Sequence, residues 1–382
     1  MKKKVGIITI LNVNNYGAEL QAFALQQKLN EMGYDAEIIN YVFYKNPGFK
    51  MEKGSLPFPI NRLRNKIRDF ILLKIDQLGS LLYPNISKKR KDNFTRFHSK
   101  WTKTSKPFYS QSQLYSEKHS YDVFIVGSDQ VWNPNNGVNI EPYFLTFAPN
   151  NRLKISYASS FGVEKINLKL HDFYKKNLLN LDSIAVRETS GVRLIDEIAG
   201  KKAAHVVDPT VLLTSEDWKK FETEFSDSVP YIVVFVFKNS KFIDKVVNEL
   251  SRKTGYKVYR ICKNEFKVDK SSSGIINLRD LGPAEFLGVY RKASFIVTSS
   301  FHGTVFSLLF EKKFITVGPS SKDNNVRQIN LLEDVGLRDR FLFEDSTYDI
   351  DNFLVNIDYH NINEKISISR KVSIDFLSNN LA

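Results

Sequence analysis

Cysteine is almost absent from this sequence: Cys262 stands alone in 382 residues. A single cysteine excludes an intrachain disulfide framework and a thiolate metal cluster, and it fits a reducing compartment. Its setting, Val258-Tyr259-Arg260-Ile261-Cys262, reads as a strand and not as the surroundings of a nucleophile. No apolar run approaches the ~20 residues of a membrane span. The opening Met1-Lys2-Lys3-Lys4-Val5-Gly6-Ile7-Ile8-Thr9-Ile10 has too short an apolar core for a signal peptide and passes into Asn12 and Asn14 without a small-residue cleavage site. No G-x-G-x-x-G follows this first strand, so the usual dinucleotide fingerprint is missing. Histidine, aspartate and glutamate nowhere cluster at metal-ligand spacing, and no hydrolase triad is recognisable. These absences predict a cytoplasmic protein, soluble or peripheral on the inner face of the membrane, with no metal and no resident cofactor.

Apolar and aromatic residues are plentiful, at 42% and 13%, which is the composition of a folded protein. The length suffices for two domains, each with its own core. The net charge of +13 is concentrated: residues 45–106 hold 16 Lys/Arg against 4 Asp/Glu, which leaves +12. Inside that stretch, Leu63, Ile67, Phe70, Ile71 and Lys74 follow helical spacing, and Lys88-Lys89-Arg90-Lys91 comes after Pro84. Two readings stand: a solvated amphipathic helix covering a domain, or an interfacial helix on an anionic membrane. Nucleic acid is not expected, because no recognised module accompanies the charge.

Strands and helices alternate along the chain. Val5–Ile10, Glu37–Tyr41, Tyr121–Gly127, Lys154–Ala158, Ser183–Val186 and Ala204–Val207 read as strands, with helices at Ala18–Met32 and Glu188–Ala199. Asp208-Pro209-Thr210 breaks the pattern, which restarts with strands at Tyr231–Phe237, Lys257–Ile261, Ile275–Asn277, Phe295–Thr298 and Phe314–Val317. Helices are expected at Lys241–Lys253, Pro283–Arg291 and Gly303–Glu311. The prediction is an α/β protein of two doubly wound, Rossmann-like domains facing across a cleft, the GT-B arrangement. The domains are placed at 1–210, with a basic helical insertion at 45–106, and at 211–382 with a C-terminal tail or helix.

The most informative segment is Ser299-Ser300-Phe301-His302-Gly303-Thr304, at the end of a buried strand and the start of a helix. Free N–H groups and the positive end of the helix dipole would hold an anion there, beside an imidazole. The other reading is a capped helix start with an interior histidine.

Six short motifs carry a resemblance. They are Asn14-Asn15-Tyr16-Gly17-Ala18 with Leu20-Gln21-Ala22, Val126-Gly127-Ser128-Asp129-Gln130-Val131-Trp132-Asn133, Tyr157-Ala158-Ser159-Ser160-Phe161-Gly162, Ala185-Val186-Arg187-Glu188, Asp208-Pro209-Thr210 and Ser300-Phe301-His302-Gly303. In this order they resemble the polysaccharide pyruvyl transferases, which move the enolpyruvyl part of phosphoenolpyruvate onto a sugar as a ketal. The resemblance implies His302 as general acid/base, with Asp129 orienting a sugar hydroxyl or acting as a second base. It implies a donor site drawing on Arg187, Ser299, Ser300, Gly303 and Thr304, with Arg279 and Arg327 as further cations. Asn14, Asn15, Tyr16, Gly17 and Trp132 are expected at the acceptor. Two departures stand out: Ala18 replaces a carboxylate found in many relatives, and Ser300 occupies a place where some members carry arginine.

Each residue has a plainer reading beside that one. Arg187, Arg279 and Arg327 would then be salt-bridge residues, Asp129 would close an Asx turn, and Trp132 would pack in a wall. The expected partners are phosphoenolpyruvate, a surface or capsular glycan that is possibly lipid-linked, and an anionic membrane meeting residues 45–106. A nucleotide-sugar glycosyltransferase and a non-catalytic scaffold on the same fold are the alternatives.

Overall fold

Runs of buried apolar residues flanked by polar turns become two parallel sheets. The computed structural model describes residues 2–11, 13–44, 46, 48–50, 52, 78–136, 139–262, 274–320 and 325–381. These fall into two units, the first drawn from Met1–Leu73, His98–Leu213 and Ile368–Ala382, the second from Lys74–Phe97 and Thr214–Ser367.

The first unit holds β1 (Lys4–Ile8), β2 (Asp35–Ile38), β3 (Val123–Val126), β4 (Leu153–Ser159), β5 (Ser183–Val186) and β6 (Ala204–His205). They pair in parallel in the order β2-β1-β3-β4-β5-β6. Period-two alternation divides β3 between two cores. Phe124 and Val126 join Trp132, Phe144 and Phe161, whereas Val123 and Ile125 join Ala22, Leu25 and Leu29 of the helix Tyr16–Glu31. The order reverses between β1 and β3, and ligands of open α/β sheets bind beyond the strand ends at such a point.

The second unit holds β7 (Tyr231–Phe235), β8 (Lys257–Ile261), β9 (Ile275–Leu278), β10 (Phe295–Thr298), β11 (Lys313–Gly318) and β12 (Phe341–Phe343). Their parallel order is β12-β11-β10-β7-β8-β9, the dinucleotide-fold order with its reversal between β7 and β10. Both units are Rossmann-like, as expected.

The domain limits differ from the sequence reading in two places. Lys74–Phe97 belongs with the second unit and Ile368–Ala382 with the first. The helix Pro84–Trp101 turns Ser87, Arg90, Asn93, Phe94 and Phe97 inward. Arg90 donates to the carbonyls of Cys262 (3.1 Å) and Arg279 (3.4 Å), and Asn93 donates to that of Asp280 (2.9 Å). Lys89 pairs with Asp280 at 2.7 Å and Arg96 with Glu285 at 2.9 Å. Several cations of the basic insertion therefore serve the second unit itself. Leu377 and Leu381 of the helix Tyr359–Leu381 lie fully buried in the first unit's core beside Val5 and Leu212. Chain order alone misplaces both segments, because each packs with strands far away in sequence. The amphipathic segment expected before residue 78 lies mostly outside the described residues.

Candidate active site

At the rim of the first sheet, the ends of β1, β3, β4 and β5 carry a buried polar network. Arg187 follows β5, and its side chain is 2% exposed. Its Nη1 donates to Asp208 Oδ2 at 2.7 Å and to Ser128 Oγ at 3.2 Å, while Nη2 lies 3.8 Å from Asp129 Oδ1. Asp208 is used on both oxygens: Oδ2 also accepts from Ser128 Oγ (3.0 Å), and Oδ1 accepts from the N–H (3.0 Å) and hydroxyl (2.7 Å) of Thr210. Burial works against the charge of Arg187, but Asp208, Asp129 and Glu188 outweigh it and hold the guanidinium above its ordinary value. The buried carboxylate of Glu188 receives Ser160 Oγ (3.0 Å) and the N–H groups of Phe161 (2.8 Å) and Gly162 (3.3 Å) on one oxygen.

Three non-glycine residues on this rim adopt left-handed backbone: Asn14 (φ 47°), Asp129 (φ 76°) and Ala158 (φ 55°). Such conformations cost about 1–3 kcal/mol each and gather where the surroundings impose them. Asp129 Oδ1 accepts from the N–H of the next residue, Gln130, at 2.8 Å, and the Val131 N–H bonds the Asp129 carbonyl, so the side chain does not make the Asx-turn bond of the plainer reading. Its side chain is nonetheless partly exposed toward solvent.

The expected acceptor residues separate. Asn14 and Asn15 are exposed, and Asn15 caps the helix Tyr16–Glu31 by accepting from Gly17 N at 3.1 Å. Tyr16 and Gly17 are buried within that helix, and Trp132 is fully buried. The indole of Trp132 stacks on Phe144 with centroids 5.1 Å apart and donates to the Tyr143 carbonyl at 2.7 Å. Stacking on Phe144 covers the Trp132 ring and Tyr16 is only 2% exposed, so neither presents the open face that a sugar platform needs.

In the second unit, β10 delivers Ser299 to His302 at the reversal of strand order. Thr298 Oγ1 donates to the Phe235 carbonyl (2.7 Å) and accepts from Ser300 N (3.1 Å). Ser300 caps the helix Phe301–Leu309, its Oγ accepting from Gly303 N at 3.3 Å. Thr304 is fully buried, donating to the Ser300 carbonyl at 3.1 Å and lying 3.0 Å from Thr316 Oγ1. Ser300 and Thr304 therefore build the helix start, and their hydroxyls are occupied there. Gly303 is required by space: a Cβ would collide with Thr298 Oγ1 and lie 2.8 Å from the Tyr290 hydroxyl.

His302 lies buried in the first turn, with the Phe301 ring edge-on at 5.3 Å. The helix Val326–Val335 brings Arg327 to 5.6 Å from the Phe301 ring centroid and Gln328 Nε2 to 3.4 Å from the Ser299 carbonyl. Arg279 is elsewhere. It follows β9, three strands from β10 and so about 14 Å away, where its guanidinium lies 4.1 Å from the Tyr83 ring centroid. The structure gathers His302, Ser299 and Arg327 and leaves Arg279 out; the salt bridge expected for Arg279 is not found among the described residues. Arg187, named for the donor site, makes the salt bridge of its plainer reading, with Asp208 at 2.7 Å.

Sequence reasoning missed three residues. Asp208 was visible in a motif but had no role, and Glu188 was seen only as a motif member. Phe237, exposed just beyond β7 with its N–H donating to Ser299 Oγ at 3.0 Å, gave no signal in the sequence.

No curated protein matches the sequence. Among solved structures, the fold is similar to UDP-GlcNAc 2-epimerase from Methanocaldococcus jannaschii, with a TM-score of 0.51 and 12% identity over 97% of this chain and 93% of that one. It is similar to UDP-N-acetylglucosamine 2-epimerase from Rickettsia bellii, with a TM-score of 0.53 and 9% identity over 100% and 97%. The glycotransferase of kitacinnamycin is also similar, with a TM-score of 0.52 and 10% identity over 100% of both chains. At such identities these similarities establish a fold of GT-B type and nothing about chemistry. A sequence model of the polysaccharide pyruvyl transferases matches residues 15–321, most of the chain and all six motifs except the first residue of the first. The chain belongs to the polysaccharide pyruvyl transferase family.

Proposed function

We propose that this protein transfers the enolpyruvyl group of phosphoenolpyruvate to two hydroxyls of a cell-surface or capsular sugar, forming a pyruvate ketal. The observation that carries this reading is His302 in the first turn of a helix at the strand-order reversal, with Arg327 set against the neighbouring Phe301 ring. Such a site supplies a proton and an anion-binding helix start together. Family members that carry arginine two residues before the histidine have a cation where this chain has Ser300. Here Arg327, resting against the Phe301 ring, supplies a cation from the neighbouring helix.

The reaction adds a proton to the methylene carbon and a sugar oxygen to the adjacent carbon. Phosphate then leaves and a second sugar oxygen takes its place. Of the two hydroxyl protons released, one restores the acid and the other leaves with phosphate. In this reading His302 protonates the methylene, and Arg327, Ser299 and the helix N-terminus hold the phosphate and carboxylate. The first unit's rim has the opposite character, with Asp129, Asp208 and Glu188 against Arg187. That balance disfavours an anion and suits hydroxyls, so Asp129, Asn14 and Asn15 are assigned to the sugar. Asp208 and Arg187 position the Asp129 turn.

The test is to incubate the protein with phosphoenolpyruvate and a glycan preparation in heavy water. The expected result is glycan-dependent phosphate release and a ketal methyl carrying deuterium, both lost in His302→Ala. Phosphate release without a ketal, or full activity in His302→Ala, would overturn the proposal.

A further inference from the structure

Residues 78–82 are helical and carry Leu78, Leu81 and Leu82 at i, i+3 and i+4, which places three leucines on one face. On a core-facing helix that stripe would be covered. Here Leu78, Leu81 and Leu82 are 51%, 76% and 60% exposed, and Tyr83 beside them is exposed too. The helix Pro84–Trp101 that follows divides its cations into two sets. Arg90 is held by carbonyls, and Lys89 and Arg96 are paired with Asp280 and Glu285. Lys88 and Lys91, at i and i+3, are exposed and have no ion-pair partner among the described residues.

Exposed leucines followed, after the bend at Tyr83, by exposed lysines without an ion pair among the described residues have a definite complement: an apolar layer bounded by negative charge. A second copy of this chain would repeat the same leucines and lysines and bring no negative charge, so it meets only half of that complement. We propose that this face, Leu78, Leu81 and Leu82 with Lys88 and Lys91, docks reversibly on an anionic lipid bilayer. The leucines enter the acyl boundary and the lysines lie among lipid phosphates. Within the helix Pro84–Trp101 this narrows the expectation for residues 45–106, since Lys89, Arg90 and Arg96 are engaged with their own unit. The inference stands on the exposed face alone and does not depend on the catalytic reading.

The experiment is sedimentation of the full chain with vesicles of phosphatidylcholine alone or mixed with phosphatidylglycerol. Binding is expected with the anionic vesicles, falling as salt rises. Lys88→Glu with Lys91→Glu should weaken it roughly thirtyfold or more, with the melting temperature unchanged. Leu81→Ser with Leu82→Ser should weaken it as well, again without loss of folding, because both side chains are exposed. Absence of binding to anionic vesicles, or binding that survives both double variants, overturns the proposal. So does a dimer in light scattering that the leucine variant dissolves, because a protein partner would then cover the face.

Discussion

Arg187 separates a ligand-binding arginine from a structural one. Its guanidinium is buried against Asp208 at 2.7 Å, and removing one partner of such a pair leaves an uncompensated buried charge. Arg187→Ala is therefore expected to destabilise the protein by about 3–5 kcal/mol, which denaturant unfolding would measure. A variant as stable as the wild type, but unable to bind donor, would return Arg187 to the ligand site. His302→Ala should do the reverse, abolishing ketal formation while leaving the melting curve near that of the wild type. At Asp129, a loose partner 3.8 Å from the guanidinium, Asp129→Asn should weaken acceptor saturation more than donor binding. Equal losses for both substrates in steady-state kinetics would count against its assignment to the sugar.

Among the elements, the helix Phe301–Leu309 bears the strongest constraints. Ser300→Ala removes its cap, at a cost of about 1 kcal/mol. Gly303→Ala should cost more, because the new methyl meets Thr298 Oγ1 and the Tyr290 hydroxyl in a packed wall. Thermal melts of the two variants would rank them, and the opposite order would contradict this packing. Here the sequence was most legible: β5, β8 and β10 occupy the expected residues, as buried β-branched runs between turn residues allow. The strand Phe341–Phe343 and the helix Val326–Val335 were not foreseen, the first because three residues carry no period. Arg327 could be suspected from its charge, but its place beside Phe301 depends on how that unread helix packs. Trp132 and Tyr16 show the converse error. Motif position says that a ring lies near a strand end and says nothing about which of its faces is covered.

For the whole molecule, chain order and spatial membership diverge. The alternation of strands and helices revealed two Rossmann-like units, but the last residues pack with the first unit. Leu377→Ala should consequently cost about 2–5 kcal/mol and lower the unfolding midpoint, although it lies far from β1 in sequence. No loss of stability on denaturant unfolding would contradict that packing. Acid stability follows the same logic. Burial works against the charge of Asp217, but hydrogen bonds from Thr214 and Lys220 outweigh it and depress its carboxyl to about 2. A depressed carboxyl stabilises the fold above its unfolded value and loses that contribution as pH falls toward 2. Asp217→Asn should therefore flatten the stability profile between about pH 4 and pH 2.

The proposed donor site is the helix start carrying His302, with Arg327 against the Phe301 ring, and its ligand is phosphoenolpyruvate. Calorimetric titration of phosphoenolpyruvate into the wild type and Arg327→Ala, with UDP-GlcNAc titrated in parallel, tests it most directly. The wild type is expected to bind phosphoenolpyruvate, and Arg327→Ala to bind it at least about tenfold more weakly, since a charged hydrogen bond contributes roughly 1.5–3 kcal/mol. Binding of UDP-GlcNAc with none of phosphoenolpyruvate would rule out that donor site and make the protein a nucleotide-sugar enzyme on the same fold.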